Sequence, residues 1–177
     1  MEQENSAAMK AALDAKFGTD EALGVVFIEH PSRRVYTASD VIPENVDVES
    51  RFPDESSAVC CTNYAIQVVR GVYPRPARVV GFSNEDNPTS RVAREEIHPG
   101  GHDFAVVEGR YLVDPWVRLV ACVSDQIVFD LQDPDDAKHV MDLYGPSDCW
   151  SEMLRATEEA IKYVPRPAAR PSMEQRV

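Results

Sequence analysis

The chain has 177 residues, 44% hydrophobic and 27% charged, which suits one soluble domain built on one sizeable core. Its 30 acidic and 18 basic residues give a formal net charge of -12, which repels phosphate backbones and anionic bilayers and argues against nucleic-acid and membrane partners. No apolar run approaches the roughly 18–20 residues that span a bilayer, and Met1-Glu2-Gln3-Glu4-Asn5 lacks the build of a secretory signal, so a cytoplasmic protein, or one exported without a cleavable signal peptide, is expected.

In chain order, Ser6 to Phe17 reads as a helix capped by Ser6 and ended by Gly18 and Thr19. Gly24 to Ile28 and Arg33 to Ala38 read as two strands joined across Pro31-Ser32. Ser39 to Ser57 is polar and proline-bearing, the pattern of a long surface loop that serves as a lid or substrate lip. A helix is predicted from Ala58 to Val69, stopped by Pro74 and Pro76, and then a strand from Ala77 to Phe82. Ser83 to Gly101 reads as a second polar loop. Strands are predicted at His102 to Val107, Arg110 to Pro115, Leu119 to Val123 and Gln126 to Leu131. Helices are predicted at Asp136 to Tyr144 and Trp150 to Val164, the latter with an apolar face of Trp150, Met153, Leu154, Ile161 and Val164 and one polar member, Thr157. Residues 1–164 are expected to form the single domain, and 165–177 a disordered Pro- and Arg-rich tail.

Three of these elements carry a thiol, an imidazole and a carboxylate in the order Cys61, His102, Asp114. These are the parts of a cysteine acyl-transfer site: a nucleophile, a base and a group that orients the base. Cys61 is expected in or near the first turn of its helix, where open N–H groups and the macrodipole favour a thiolate. Its own N–H is assigned as one oxyanion donor. Cys61, Ala65 and Val68 or Val69 share one helix face, which should pack on the sheet. A hairpin centred on Glu108, with Gly109 left-handed, would set His102 directly opposite Asp114, with Cβ atoms about 5 Å apart.

The run Cys61-x-x-Tyr64-Ala65, then Pro76-Ala77-Arg78-x-Val80-Gly81-Phe82, then His102, then Asp114-Pro115 resembles the core of the transglutaminase-like superfamily, cysteine enzymes of papain-like fold. The resemblance covers roughly the middle third of the chain. It implies an α+β fold with the nucleophile helix packed on an antiparallel sheet. It also implies Cys61 as nucleophile, His102 as base and Asp114 as orienter. The strand Arg78-Val79-Val80-Gly81 is one residue shorter than the family pattern, Phe104 stands where many members carry Trp, and Cys60 stands where small residues are usual. The expected activity is amide processing through a thioester: peptidase, amidase or glutamine deamidase. The alternatives are a transamidase or acyltransferase with the same triad, and a non-catalytic interaction module.

Several residues compete. Cys60 lies about 100° from Cys61 on a helix, so only one of them can face His102. Cys149-Trp150 looks like a papain-type helix start capped by Asp148, but no histidine follows it except by permutation. A buried structural thiol is the plainer reading there. Cys60 and Cys61 are poorly placed to pair with each other, and free thiols are expected throughout, Cys122 included. His98 competes with His102 as base but reads as a solvated loop histidine; His30 and His139 carry no motif. Asp103 should point away from His102 across the strand. Asp125, Asp130, Asp133, Asp135 and Asp136 read as a solvated acidic face, without the spacing of a calcium loop. Neither a metal nor an organic cofactor is expected. A protein or peptide substrate is expected; Phe104 is assigned to the substrate groove, and Trp116 reads as core, with a wall of that groove as its alternative. The oligomeric state is left open.

Overall fold

The computed structural model describes residues 2–19, 25–28, 35–37 and 61–162. The expectations for Cys60, His30, the 39–57 loop, the turn at Pro31-Ser32 and the 165–177 tail lie outside these residues. The longest ladder joins β3 (Ala77–Ser83) to β4 (Gly101–Val107), antiparallel from Ala77↔Val107 to Ser83↔Gly101. β5 (Tyr111–Val113) and β6 (Val128–Asp130) extend it on one side and the two-residue β7 (Ser151–Glu152) on the other. The result is a five-stranded antiparallel sheet in the order β6-β5-β4-β3-β7, within an α+β fold. β1 (Val25–Ile28) and β2 (Val35–Thr37) form a separate antiparallel pair.

Helices cover both faces of the large sheet. The helix α2 (Cys61–Val72) buries Cys61, Ala65, Val68 and Val69, the face expected from their spacing, and with them Tyr64, Ile66, Gln67 and Val72. It ends at Val72 rather than Val69, nearer the prolines that stop it. α5 (Pro134–Tyr144) lies against the opposite face and starts earlier than predicted. Asp133 accepts from the N–H groups of Asp135 and Asp136, and Pro134 fills the first turn, where a missing N–H costs nothing.

α1 (Glu2–Phe17) begins before Ser6, so Ser6 is no cap: its hydroxyl donates to the buried Asp130 carboxylate. The stretch read as a second loop contains a short helix, α3 (Arg91–Arg94), capped by Ser90. No strand forms at Leu119 to Val123, because Pro115 opens the short helix α4 (Trp116–Leu119) and the N–H groups of Ala121 and Val123 bond back into it. The predicted helix at Trp150 breaks into a 3-10 turn (Ser147–Cys149), β7 and α6 (Leu154–Lys162). Leu154 and Ile161 stay exposed, and the buried residue of α6 is Ala160. Thr157, the polar member of that face, accepts the Val79 N–H at 2.9 Å and so satisfies a donor on β3.

The acidic run is corrected as well. Asp130 and Asp136 are buried, while Asp125 and Asp135 are exposed. Arg110 grips Asp130 with two bonds, at 2.8 and 2.7 Å, and holds its carboxyl far below the usual range, with Ser6 adding to the effect. Burial raises Asp136, but bonds from Lys10, the Asp130 N–H and Gln126 outweigh it and hold that carboxyl low. α1 is thus anchored by buried polar contacts as well as by Leu13 and Phe17. Among the described residues no helix is long and apolar enough to cross a membrane.

Candidate functional site

The β4–β5 turn sets the site. Glu108 and Gly109 both take positive φ (54° and 66°), and the Arg110 N–H bonds the Val107 carbonyl at 3.0 Å. Val107 pairs with Tyr111 and Ala105 with Val113, so the loop is Glu108 to Arg110, one residue later than predicted. His102 is not directly opposite Asp114, which lies past the end of β5, level with Phe104. An offset of two residues preserves the face, so the histidine still reaches the carboxylate diagonally: His102 Nε2 to Asp114 Oδ2 is 2.6 Å, with both side chains buried.

Asp114 is held by three donors. Besides the imidazole N–H, the Tyr144 hydroxyl reaches Oδ2 at 2.9 Å and the Trp116 N–H reaches Oδ1 at 3.1 Å. With Nε2 donating to the carboxylate, the neutral imidazole carries its lone pair on Nδ1. That atom is buried and has no hydrogen-bond partner among the described residues. Trp116 (ring centroid 5.0 Å away), Tyr144 and Phe104 enclose the ring.

Cys61 arrives from the other side. In the β3–β4 ladder the Glu108 N–H donates to the Pro76 carbonyl, so even-numbered N–H groups of β4 point to β3 and odd-numbered ones toward β5. Beyond Ala105↔Val113 the strand β5 has ended, and the next open donor is Asp103 N–H. Cys61 Sγ accepts it at 3.2 Å. A donor aimed at sulfur favours the thiolate, as does the start of α2. Cys61 and His102 line one cleft of about 290 Å³, together with Phe82, His98, Gly101 and Met153. Among the described residues no hydrogen bond joins Sγ to His102 Nδ1.

Asp103 points away from His102, as expected, and lies against α2, where the Thr62 hydroxyl donates to it. Burial pushes its carboxyl above the ordinary range, against the lowering effect of that bond and of the nearby imidazoles. Gly81, part of the strand motif, is required here: a Cβ on it would stand 1.9 Å from Asp103 Oδ1.

His98 is half-buried on the wall of the cleft, edge-on to Trp116 at 5.2 Å, rather than a solvated loop residue. Phe104 and Trp116 are buried behind His102 and are not part of the cleft lining, which corrects the groove assignment of Phe104 and leaves Trp116 with its core reading rather than the groove alternative. Phe104 packs on Trp150 and Tyr144 as core. Cys149 is half-buried in the 3-10 turn, not the buried structural thiol expected, and partial burial and the Asp148 carboxylate push its thiol up, away from nucleophilic character. His139 is exposed on α5. Cys61, Cys122 and Cys149 form no disulfide among the described residues. Among the described residues no cluster of three or more His, Cys, Asp or Glu could hold a metal ion.

Tyr144 escaped the sequence reading as a site residue. It stands 30 residues from Asp114 and reads there only as the last residue of a predicted helix. Its one signal is general: a buried tyrosine hydroxyl needs a partner. No protein-family model, curated protein or solved structure matches this chain.

Proposed function

We propose that this chain is a cysteine-dependent, amide-processing enzyme of transglutaminase-like, papain-like fold, with Cys61 as nucleophile, His102 as base and Asp114 as orienter. The observation that carries the reading is the buried His102–Asp114 pair, whose imidazole lines the same cleft as Cys61 and whose Nδ1 has no hydrogen-bond partner among the described residues. Asp114 fixes the tautomer that leaves Nδ1 basic. Nδ1 takes the thiol proton, and the thiolate attacks the substrate carbonyl. Negative charge on that oxygen falls to an oxyanion donor, assigned to the Cys61 N–H. The imidazolium returns its proton to the leaving ammonia or amine, and water resolves the thioester. The sulfur must leave the Asp103 N–H and come within hydrogen-bond reach of Nδ1, a closure that free enzymes commonly complete only with substrate. Hydrolysis is preferred over transamidation because it needs no second substrate site.

The sulfur's bond to backbone rather than to imidazole supports a second reading, a non-catalytic interaction module. One measurement separates the two. Iodoacetamide at mildly acidic pH should label Cys61 ahead of the more exposed Cys122 and Cys149, and His102→Ala should abolish that preference. Slow, uniform labelling with ordinary thiol titration removes the enzyme reading. Ammonia release against amine incorporation, measured on an amide library, then divides hydrolase from transferase.

A further inference from the structure

We infer that Tyr144 is a positioning residue of this site, setting both the orientation of the His102 ring and the proton affinity of its Nδ1 through Asp114. The inference rests on the Cys61–His102–Asp114 reading for its catalytic meaning, but not for its test.

Two contacts from one side chain carry it. The Tyr144 hydroxyl donates to Asp114 Oδ2 at 2.9 Å, the same oxygen that accepts the His102 Nε2–H. The Tyr144 ring stacks on the imidazole with centroids 5.7 Å apart and planes 7° from parallel. The stack restricts rotation of the imidazole, and the hydroxyl shares the carboxylate with it. A carboxylate oxygen that already accepts one strong bond offers less negative charge to the second donor, so Tyr144 weakens the pull of Asp114 on an imidazolium.

The backbone around Tyr144 is tied down as well. Its carbonyl accepts from Asn87 Nδ2 at 2.7 Å and from Trp150 Nε1 at 2.9 Å. The following residue, Gly145, adopts φ 66° against Asn87, where a Cβ would stand 2.2 Å from the amide oxygen. Two side chains from separate segments thus hold the end of α5 where the hydroxyl meets Asp114. Burial, and then the Asp114 charge, push the phenol well above its ordinary range, so it stays protonated and a donor at neutral pH.

The other titratable groups around His102 are His98 from the loop before β4, Asp103 on its own strand, Asp114 after β5 and Cys61 from α2. Tyr144→Phe leaves all of them in place. It removes one hydroxyl and keeps the stacked ring.

The test is an NMR titration of the His102 ring nitrogens in the full chain. Tyr144→Phe should raise the His102 midpoint by about 0.5 to 1 pH unit while Nε2 stays the protonated nitrogen. Replacing Tyr144 with 3-fluorotyrosine, a stronger donor of nearly the same size, should move the midpoint down. Opposite shifts in the two proteins establish the role, because a purely structural tyrosine would not give a sign that follows donor strength. An unmoved midpoint in both overturns it. If Tyr144→Phe does not fold, the fluorotyrosine protein decides by its own downward shift or lack of one. If the midpoints move but Cys61 proves unreactive, the Tyr144 coupling stands and the enzyme reading falls.

Discussion

Cys61 Sγ accepts the Asp103 N–H at 3.2 Å, taking the donor that β4 leaves open where β5 stops. The strand ends there because Pro115 has no N–H for a ladder and its φ of -65° starts α4. The thiol is thus bound to the backbone on the residue that follows the candidate base. Cys61→Ala should free that amide, and its hydrogen exchange should speed by about tenfold or more, the equivalent of a lost bond of roughly 1.4 kcal/mol. Unchanged protection at Asp103 in the alanine variant would show that the sulfur is not its acceptor.

Asp103 opposes folding in its charged form. Its carboxyl is raised by burial above the ordinary 3.8. The stability linked to its proton is therefore fully present below the unfolded value and is lost as pH rises through the folded one. Asp103→Asn removes that loss and can still accept from Thr62. The variant should gain stability over the parent at pH 7 and lose this advantage at pH 3, as measured by urea unfolding at both.

The anchor of α1 has the opposite sign. The Asp130 and Asp136 carboxyls are held below 3.8 by Arg110, Ser6, Lys10 and backbone donors, so their contribution is present above that value and fades as pH falls through the lower folded values. Acid should release α1 before the β3–β4 ladder. Exchange in residues 2–17 should rise at a pH where β4 amides remain protected. At neutral pH Asp130→Ala should cost about 3 kcal/mol, because it strands the Arg110 guanidinium.

Thr157 closes the β3 edge. Its hydroxyl is the acceptor of the Val79 N–H, and the Met153 N–H takes the Val79 carbonyl at 2.9 Å. Thr157→Val keeps the shape and removes the acceptor. A cost of about 1 to 2 kcal/mol is expected in denaturant midpoint, without change in thiol reactivity. A neutral result would mean that Val79 N–H finds water instead.

Gly81→Ala probes the close approach between the strand motif and the Cys61 side of the sheet. With Asp103 Oδ1 1.9 Å from the new Cβ, the carboxyl must move. About 1 to 3 kcal/mol of stability should be lost, and Gly81→Ala combined with Asp103→Ala should recover most of it. Additive losses in the double variant would place the strain elsewhere.

Short-range periodicity was enough to find α2, β3, β4 and most of α5, because each buries one face and writes a repeat of 3.6 or 2 into a few neighbouring residues. The same patterns placed Cys61, His102 and Asp114 at the ends of facing elements. Three outcomes came from longer range. The register moved by two residues because the turn took Arg110 as well as Glu108 and Gly109, and a turn's conformation answers to strand twist as much as to composition. Trp150 left the helical pattern because its indole N–H bonds the Tyr144 carbonyl. The aspartates from 130 to 136 looked like a solvated run until α1 folded over two of them, contacts that span 124 and 126 residues. The linear chain therefore determined which residues could do chemistry and on which local faces they stand. Tertiary structure alone decided which donors meet the Asp114 carboxylate and where the sulfur rests, because those contacts join segments whose separation along the backbone leaves no trace in any local repeat.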